Sequence, residues 1–212
     1  MPIRELKVCL LGDSDVGKTS IIYRFTKDRF EHTTKPTIGA FFVYKAMSCG
    51  KELHKFLIWD TAGHERFADL LPMYYRGSTA AVIVYDITRW SSFHTLKKWV
   101  QELKEHEPED IIIAIAGNKC DLSDVRKVPL EMAKDYAESI GAIYLETSAK
   151  SGHNITELFK AISQRVPPLS PGGGEKNVSI KLHEPKQRHS PPSPGAGNSY
   201  PLTVSVHEST KD

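Results

Sequence analysis

The chain has 212 residues, of which 40% are hydrophobic and 25% charged, so it is long enough to bury one sizeable core. Its formal net charge of +2 gives no sign of a nucleic-acid-binding surface. Three scattered cysteines are too few for a disulfide framework or a zinc site. No apolar run of about 18 residues could span a membrane, and the N-terminus lacks the pattern of a signal peptide. The composition therefore predicts a soluble, intracellular protein of mostly one domain.

The chain changes character near residue 166. Residues 167–212 contain 8 Pro, 5 Gly and 7 Ser among 46 residues, with Tyr200 as their single aromatic. A segment of that composition cannot bury enough surface to offset the entropy of ordering it. We therefore predict a folded domain over residues 1–166 and a disordered Pro/Ser/Gly-rich tail over residues 167–212.

Short apolar runs alternate with helical patterns over residues 1–166. In chain order, the predicted strands are Leu6–Leu11, Phe41–Met47, Phe56–Trp59, Ala80–Tyr85, Ile111–Ala116 and Ala142–Leu145. Several are apolar at nearly every position, which is typical of strands buried on both faces, whereas the more polar Phe41–Met47 is expected at an edge. Apolar residues at helical spacing follow in Phe93–Leu103 and in Ile155–Ile162, and the second helix is expected to stop before Pro167. This alternation predicts an α/β fold with a doubly wound, mostly parallel six-stranded sheet flanked by helices. Ligands of such sheets bind at the carboxyl ends of the strands.

The first predicted strand leads into a phosphate-binding pattern. Residues Gly12-Asp13-Ser14-Asp15-Val16-Gly17-Lys18-Thr19 fit G-x-x-x-x-G-K-[ST]. Backbone N–H groups of such a loop turn inwards at a helix N-terminus and together bind an anion. Lys18 is expected to contact the terminal phosphates and Thr19 to ligate Mg²⁺. The alternative is a glycine-rich turn that matches by chance, which the position between a strand and the helical segment Ser20–Phe25 disfavours. The fold is therefore predicted to be that of a P-loop NTPase.

Three later segments favour GTP over ATP. They are Trp59-Asp60-Thr61-Ala62-Gly63, Asn118-Lys119-Cys120-Asp121 and Glu146-Thr147-Ser148-Ala149-Lys150, and they resemble the signature motifs of small GTPases in family order and spacing. Pro36-Thr37-Ile38-Gly39 and Met73-Tyr74-Tyr75-Arg76-Gly77 narrow the resemblance to the Rab branch. Residues 3–13 and 52–59 are similar to the early-endosomal Rab group. These motifs and the short chain disfavour an ATP-using P-loop kinase.

The chemistry of guanine explains the second of these motifs. Asp121 can accept hydrogen bonds from the ring N1–H and the exocyclic amine of guanine, whereas adenine would leave the carboxylate unpaired. Taken alone, the segment could be a polar loop after a strand. The resemblance assigns further base contacts to Asn118, Lys119, Ser148, Ala149 and Lys150, and a stacked aromatic to Phe30. It also assigns nucleotide contacts to Ser14, Asp15, Val16, Gly17, Lys18, Thr19 and Ser20.

The resemblance also implies a switch driven by the γ-phosphate. Thr37 would ligate Mg²⁺ only with GTP bound, Asp60 would hold Mg²⁺, and the Gly63 N–H would donate to the γ-phosphate. Thr19 would be the remaining protein ligand of the metal. Hydrolysis would release both switch loops. Lys18, Thr37 and His64 are the residues implied at the reaction itself.

The resemblance implies protein partners as well. They are an exchange factor, a GTPase-activating protein and effectors, and no nucleic acid is expected among them. Effectors would dock on an aromatic triad matched by Phe42, Trp59 and Tyr74. The alternative is that these aromatics simply fill the core.

Three departures from the family pattern bear on activity. His64 stands where the family has the glutamine that orients the attacking water, so we expect weak intrinsic hydrolysis unless a neutral imidazole still positions the water. Asp15 replaces a glycine of the phosphate loop, so we expect weaker nucleotide binding and faster exchange unless its carboxylate points to solvent. No cysteine follows Cys120, and the chain ends in Ser209-Thr210-Lys211-Asp212, which provides no residue for prenylation.

These observations predict a Rab-like GTPase that acts as a GTP/GDP switch in vesicle traffic, with endosomes implied by the resemblance. The missing prenylation site instead favours the cytoplasm, so membrane association is left open. The alternative function is a Rab-like scaffold that binds trafficking partners without turnover, either held in the GTP state or largely free of nucleotide.

Overall fold

The computed structural model describes residues 1–32, 37–38, 40–63 and 71–168 of the chain. The described elements are β1 (Ile3–Leu11), α1 (Lys18–Lys27), β2 (Ala40–Cys49), β3 (Glu52–Thr61), α2 (Leu71–Tyr75), β4 (Ala80–Asp86), α3 (Trp90–His106), β5 (Ile112–Asn118), α4 (Leu130–Ser139), β6 (Ile143–Glu146) and α5 (Ile155–Arg165). A 3₁₀ helix, Cys120–Val125, lies between β5 and α4. Each predicted strand is present. β5 and β6 begin one residue later than predicted, and the other strands contain their whole apolar run.

The six strands form one sheet in the order β2-β3-β1-β4-β5-β6. Neighbouring strands are parallel except β2 and β3, which pair antiparallel with Phe42 opposite Trp59. The more polar strand β2 lies at the edge, as predicted. The mostly parallel sheet flanked by helices is also confirmed.

Apolar side chains pack against both faces of the sheet. All seven residues of β4 are buried, which explains its uninterrupted apolar run. On one face, Phe159 of α5 stacks on Phe25 of α1 at a ring-centroid distance of 3.8 Å. On the other face, α3 buries Phe93 and the apolar residues that follow it at helical spacing. Among the described helices, none combines the length and the apolar character that crossing a bilayer requires.

Five loops meet at one edge of this sheet. Because β1, β3, β4, β5 and β6 are mutually parallel, their carboxyl ends lie side by side. Their last residues are Leu11, Thr61, Asp86, Asn118 and Glu146. The phosphate-loop pattern and the three GTPase-like motifs therefore converge where a doubly wound sheet binds its ligand.

The C-terminal boundary stays a prediction. Helix α5 ends at Arg165, before Pro167, as expected from a residue type that cannot continue a helix. Residues 169–212, which make up most of the predicted tail, lie outside the described residues.

Candidate functional site

The loop between β1 and α1 depends on two glycines. Gly12 has a φ of 138°, and a Cβ there would lie 2.3 Å from the Val84 carbonyl oxygen. Gly17 has a φ of 98°, and a Cβ there would lie 2.3 Å from Asn118 Nδ2. Left-handed torsions and such close approaches exclude a side chain at both positions. The loop therefore lies directly against the ends of β4 and β5, with the N-terminus of α1 facing the space that it encloses.

Lys18 lies inside this loop. Its side chain is buried, and Nζ donates to the carbonyl oxygens of Gly12 and Asp13, both at 2.7 Å. Burial lowers the pKa of Lys18 to about 8, although nearby carboxylates, of which Asp60 acts most strongly, oppose the shift. An anionic phosphate group in the loop would favour the charged ammonium and raise this pKa again.

Three oxygen-bearing side chains meet beside the start of α1. Thr19 Oγ1 donates to Asp60 Oδ2 at 2.5 Å and lies 3.0 Å from Thr37 Oγ1. Asp60 Oδ1 is buried without a hydrogen-bond partner among the described residues, and burial raises the pKa of Asp60 to about 6. Octahedral Mg²⁺ holds oxygen ligands at about 2.1 Å, which places adjacent ligands about 3.0 Å apart, as the two threonine hydroxyls are. The oxygen donors, this spacing and the unpaired Asp60 oxygen therefore fit Mg²⁺.

Gly63 packs on the phosphate loop from the end of β3. A Cβ at this position would lie 2.4 Å from both Asp13 C and Ser14 N, so only glycine fits. The structure thus brings the backbone of Gly63 to the loop, where its N–H was expected to act. His64 follows immediately but lies outside the described residues.

The side chain of Asn118 joins three segments of the site. It is only 2% exposed, and Nδ2 donates to the Val16 carbonyl at 2.8 Å. Its Oδ1 accepts from Thr147 Oγ1 at 3.2 Å and from the Ala149 N–H at 3.3 Å. An amide offers both the donors and the acceptor that this junction uses. Asn118 therefore ties the phosphate loop to the segment after β6.

A cavity of about 430 Å³ opens beside these contacts, within the size range of ligand pockets. Its lining residues are Asp15, Gly17, Ser20, Phe30, Glu31, His32, Asn118, Lys119, Asp121, Leu122, Ala149 and Lys150. Phe30 forms one wall, with its ring edge-on to the His32 ring at 5.1 Å between centroids. The cavity thus unites the phosphate loop with the residues expected to read the base.

The expected base reader is held in place from β6. Ser148 Oγ, fully buried, donates to Asp121 Oδ1 at 2.6 Å. This bond fixes the direction of a carboxylate that is otherwise exposed at the cavity.

Lys119 is braced from β4. Its Nζ lies 2.7 Å from Asp86 Oδ2, and Thr88 donates to Asp86 Oδ1 from both N and Oγ1. Burial alone would raise the pKa of Asp86, but the hydrogen bonds from Lys119 and Thr88 outweigh it and lower that pKa. Lys119, which lines the cavity, is therefore held by a partner that lies outside the sequence motifs.

Arg24 of α1 is a second brace that the sequence did not reveal. Its Nε donates to the Ala149 carbonyl at 2.9 Å and its Nη2 to the Lys150 carbonyl at 2.8 Å. Nη1 pairs with Asp28 Oδ1 at 3.0 Å. Helix α1, which carries Lys18 at its start, is thereby fixed to the segment that contains Ala149. Because these partners lie 125 and 126 positions from Arg24, no local pattern could have indicated them.

Asp15 adopts the backbone conformation that glycine favours. Its φ is 63°, and its exposed side chain is part of the cavity wall. Its effect on nucleotide binding stays a prediction.

A second surface lies beside the antiparallel pair β2 and β3. The Trp59 ring lies 5.1 Å from the Phe42 ring and 5.5 Å from the Tyr74 ring, and all three residues are half-buried. Ile38 is 84% exposed and Met73 71% exposed. Trp59 and Tyr74 also pack on the buried cluster beneath them. Trp59 and Tyr74 therefore pack against the core, as one interpretation of the triad expects, and all three aromatics are also partly exposed to solvent, as effector binding requires.

Comparisons with known proteins agree with this site. A family model described as the Ras family matches residues 7–167. The chain is similar to Ras-related protein Rab-31 of Homo sapiens, with 66% identity over 190 residues that cover 90% of this chain and 97% of that protein. It is also similar to Ras-related protein Rab-22A of Mus musculus, at 58% identity over 191 residues covering 88% of this chain and 98% of that protein. Ras-related protein RABF2b of Arabidopsis thaliana is 47% identical over 165 residues, 78% of this chain and 82% of that protein. The chain therefore belongs to the Ras family and, within it, to the Rab small GTPases, and it is a GTP-hydrolysing switch of endosomal vesicle traffic.

Proposed function

We propose that guanine binds in the 430 Å³ cavity, against Asp121, while the phosphates lie in the loop around Lys18. The observation that carries this proposal is the junction at Asn118, which bonds to Val16 on the phosphate side and to Ala149 on the base side. The segments that would bind the base and the phosphates are therefore hydrogen-bonded to each other through Asn118. Ser148 aims the Asp121 carboxylate, and Ala149 lines the cavity, where its backbone N–H is proposed to donate to guanine O6.

Thr19, Thr37 and Asp60 would hold Mg²⁺ beside the phosphates. When bound, the ion neutralises phosphate charge and so makes the terminal phosphoryl group a better electrophile. Thr19 and Asp60 lie on α1 and β3, whose positions are fixed by the fold. Thr37 belongs to the segment before β2, so its hydroxyl is the ligand that responds to the nucleotide state. Lys18 supplies the matching charge on the protein side.

We propose further that intrinsic hydrolysis is slow, because His64 replaces the glutamine that orients water in related GTPases. Imidazole has a shorter reach and a different donor geometry from a carboxamide. The test is single-turnover GTP hydrolysis by the unaltered chain and by the His64→Gln variant. Restoring the glutamine should raise the rate by up to about a hundredfold, the loss expected when a reacting group is misplaced by about 1 Å. Equal rates would contradict slow hydrolysis caused by His64.

Effectors are proposed to bind over the aromatic surface of Phe42, Trp59 and Tyr74. Its support is the mutual contact of these half-exposed rings, together with two exposed apolar residues, Ile38 and Met73, that precede Phe42 and Tyr74 in the sequence. Large, rigid aromatics at the centre of a patch are typical anchors of protein interfaces. Exchange and activating proteins are proposed as the other partners, and the place of action as the cytoplasm and the periphery of endosomal membranes. Fractionating cells that express the whole chain tests the location.

The nucleotide that co-purifies with the protein tests the function directly. Extraction and chromatography of the bound nucleotide should yield guanine nucleotide at close to one per chain. GDP indicates turnover, GTP indicates a switch stalled before hydrolysis, and no nucleotide would favour the alternative function of a nucleotide-poor scaffold. An Asp121→Ala variant serves as control, because it should retain far less guanine nucleotide.

A further inference from the structure

Arg89 connects the start of α3 to the phosphate loop. It is the residue that precedes α3, and its backbone is fixed on both sides. Its N–H donates to the Asp86 carbonyl at 2.9 Å, and its carbonyl accepts from Ser92 Oγ at 2.7 Å. From this fixed point its side chain reaches back 75 positions in sequence, where Nη2 donates to the Ser14 carbonyl at 2.5 Å. The guanidinium is thus held against the loop from outside.

The bond to Ser14 sets the direction of the next N–H. In a trans peptide the carbonyl and the following N–H point to opposite sides. Since the Ser14 carbonyl points outwards to Arg89, the Asp15 N–H points away from Arg89, towards the inside of the loop. Asp15 itself belongs to the cavity wall. A phosphate oxygen in the loop could therefore accept from this N–H as long as the peptide keeps its orientation.

The charge of Arg89 acts at the same place. Arginine is always ionised at physiological pH, so its bond to the Ser14 carbonyl places a positive charge beside the loop. Asp15 follows Ser14 directly, so its side chain branches from the backbone two bonds away from the carbonyl carbon whose oxygen accepts from Arg89. The Arg89 Nε–H is buried without a partner among the described residues, which leaves part of the guanidinium's bonding capacity unused. A positive charge at this position attracts the phosphates and offsets the negative charge of Asp15.

We propose that Arg89 is a positioning residue of the phosphate loop. It holds the Ser14–Asp15 peptide with its N–H towards the phosphates and partly neutralises Asp15, and so it slows nucleotide release. This role rests on the proposed binding of guanine nucleotide at the same loop.

The test compares GDP release from Arg89→Gln, Arg89→Lys and Arg165→Gln with release from the unaltered chain. Arg165 of α5, which is far from the phosphate loop in the sequence, is the matched control. Its Nη1 also donates to a backbone carbonyl, that of Gly141, at 2.7 Å. The probe is GDP with a fluorescent ribose label. Arg89→Gln should accelerate release by about ten- to a hundredfold, the effect of a lost charged hydrogen bond. The GDP release rate of Arg89→Lys should lie between those of the unaltered chain and Arg89→Gln, because lysine keeps the charge but lacks the planar guanidinium. Arg165→Gln should change the release rate less than about twofold.

Two further readouts separate positioning from a general loss of stability. The ³¹P chemical shifts of bound GDP should move in Arg89→Gln and stay unchanged in Arg165→Gln. In an Asp15→Gly background, Arg89→Gln should accelerate GDP release less than it does in the unaltered chain. The Asp15 carboxylate is then absent, so the Arg89 charge no longer has that negative charge to offset. Unchanged shifts together with an unchanged release rate in Arg89→Gln would overturn the role of Arg89 while leaving the binding site intact. Failure of the unaltered chain to bind GDP would overturn the proposed function, and this role with it.

Discussion

Replacing Asp15 with glycine isolates the cost of an acidic residue in the phosphate loop. At a separation of roughly 6 Å, one like-charge pair costs about 3 kcal/mol at an effective dielectric of 20 and about 0.7 kcal/mol in bulk water. Because Asp15 is exposed at the cavity wall, the second value is the better guide. Two charged phosphate groups then give about 1.4 kcal/mol, which corresponds to roughly a tenfold change in release rate.

The backbone of Asp15 contributes differently from its charge. Its φ of 63° costs a side-chain-bearing residue about 1 kcal/mol, and aspartate tolerates this region better than most residues. This strain affects release only if the loop relaxes once the nucleotide has left. Asp15→Asn keeps the strain and removes the charge, so it is the matched control for Asp15→Gly.

The assay is displacement of labelled GDP by excess unlabelled GDP at low and at high salt. Asp15→Gly should release GDP about tenfold more slowly than the unaltered chain, and Asp15→Asn should reproduce most of this effect. At about 1 M salt the difference should shrink, because the screening length falls to about 3 Å. Equal rates for all three proteins at low salt would refute the charge argument.

Three further predictions follow from other contacts of the site and the core. Arg24→Gln should weaken GDP binding about tenfold or more, because it frees the segment whose Ala149 N–H is proposed to donate to guanine O6. It should weaken an analogue without the base O6 much less; equal losses would point to general destabilisation. Because burial lowers the pKa of Lys18 to about 8 and phosphate should raise it, GDP binding should take up about 0.9 proton at pH 9 and about 0.25 at pH 7.5. Calorimetry in buffers of different ionisation enthalpy measures this uptake, and a Lys18→Arg variant should not show the difference; equal uptake at both pH values in the unaltered chain would contradict the shift. Phe159→Ala, which removes a buried ring stacked on Phe25, should cost about 3–5 kcal/mol in urea unfolding at a fixed saturating GDP concentration, and a loss below about 1 kcal/mol would contradict the packing.

The sequence predicted those parts of the molecule whose chemistry is local. Strands such as β4 are apolar throughout because both faces are covered, and the glycines of the phosphate loop belong to a short motif with left-handed backbone torsions. Edge strand β2 was recognisable from its mixed polarity.

Elements with little buried surface gave weaker signals. Helix α4 buries only Ala133 and Ala137, so its periodicity is faint, and α2 has five residues. Neither helix was predicted.

Long-range braces were beyond the reach of sequence patterns. Arg24, Asp86 and Arg89 each act on segments distant in sequence. The bidentate pair of Arg126 with Glu146, at 2.5 and 2.9 Å, likewise joins the segment after the 3₁₀ helix to the end of β6. Such hydrogen bonds and ion pairs form only when the fold brings distant loops together, and no single motif encodes that arrangement. The sequence thus indicated the residues expected to contact the nucleotide, and the structure revealed those that orient them.

The most direct measurement of the central claim is the affinity of the intact chain for GDP and for ADP, titrated side by side with Mg²⁺ present. The Asp121 carboxylate, aimed by Ser148, predicts that GDP binds at least about 10⁴-fold more tightly than ADP. Comparable affinities for the two nucleotides, or no detectable binding of GDP, would contradict the account.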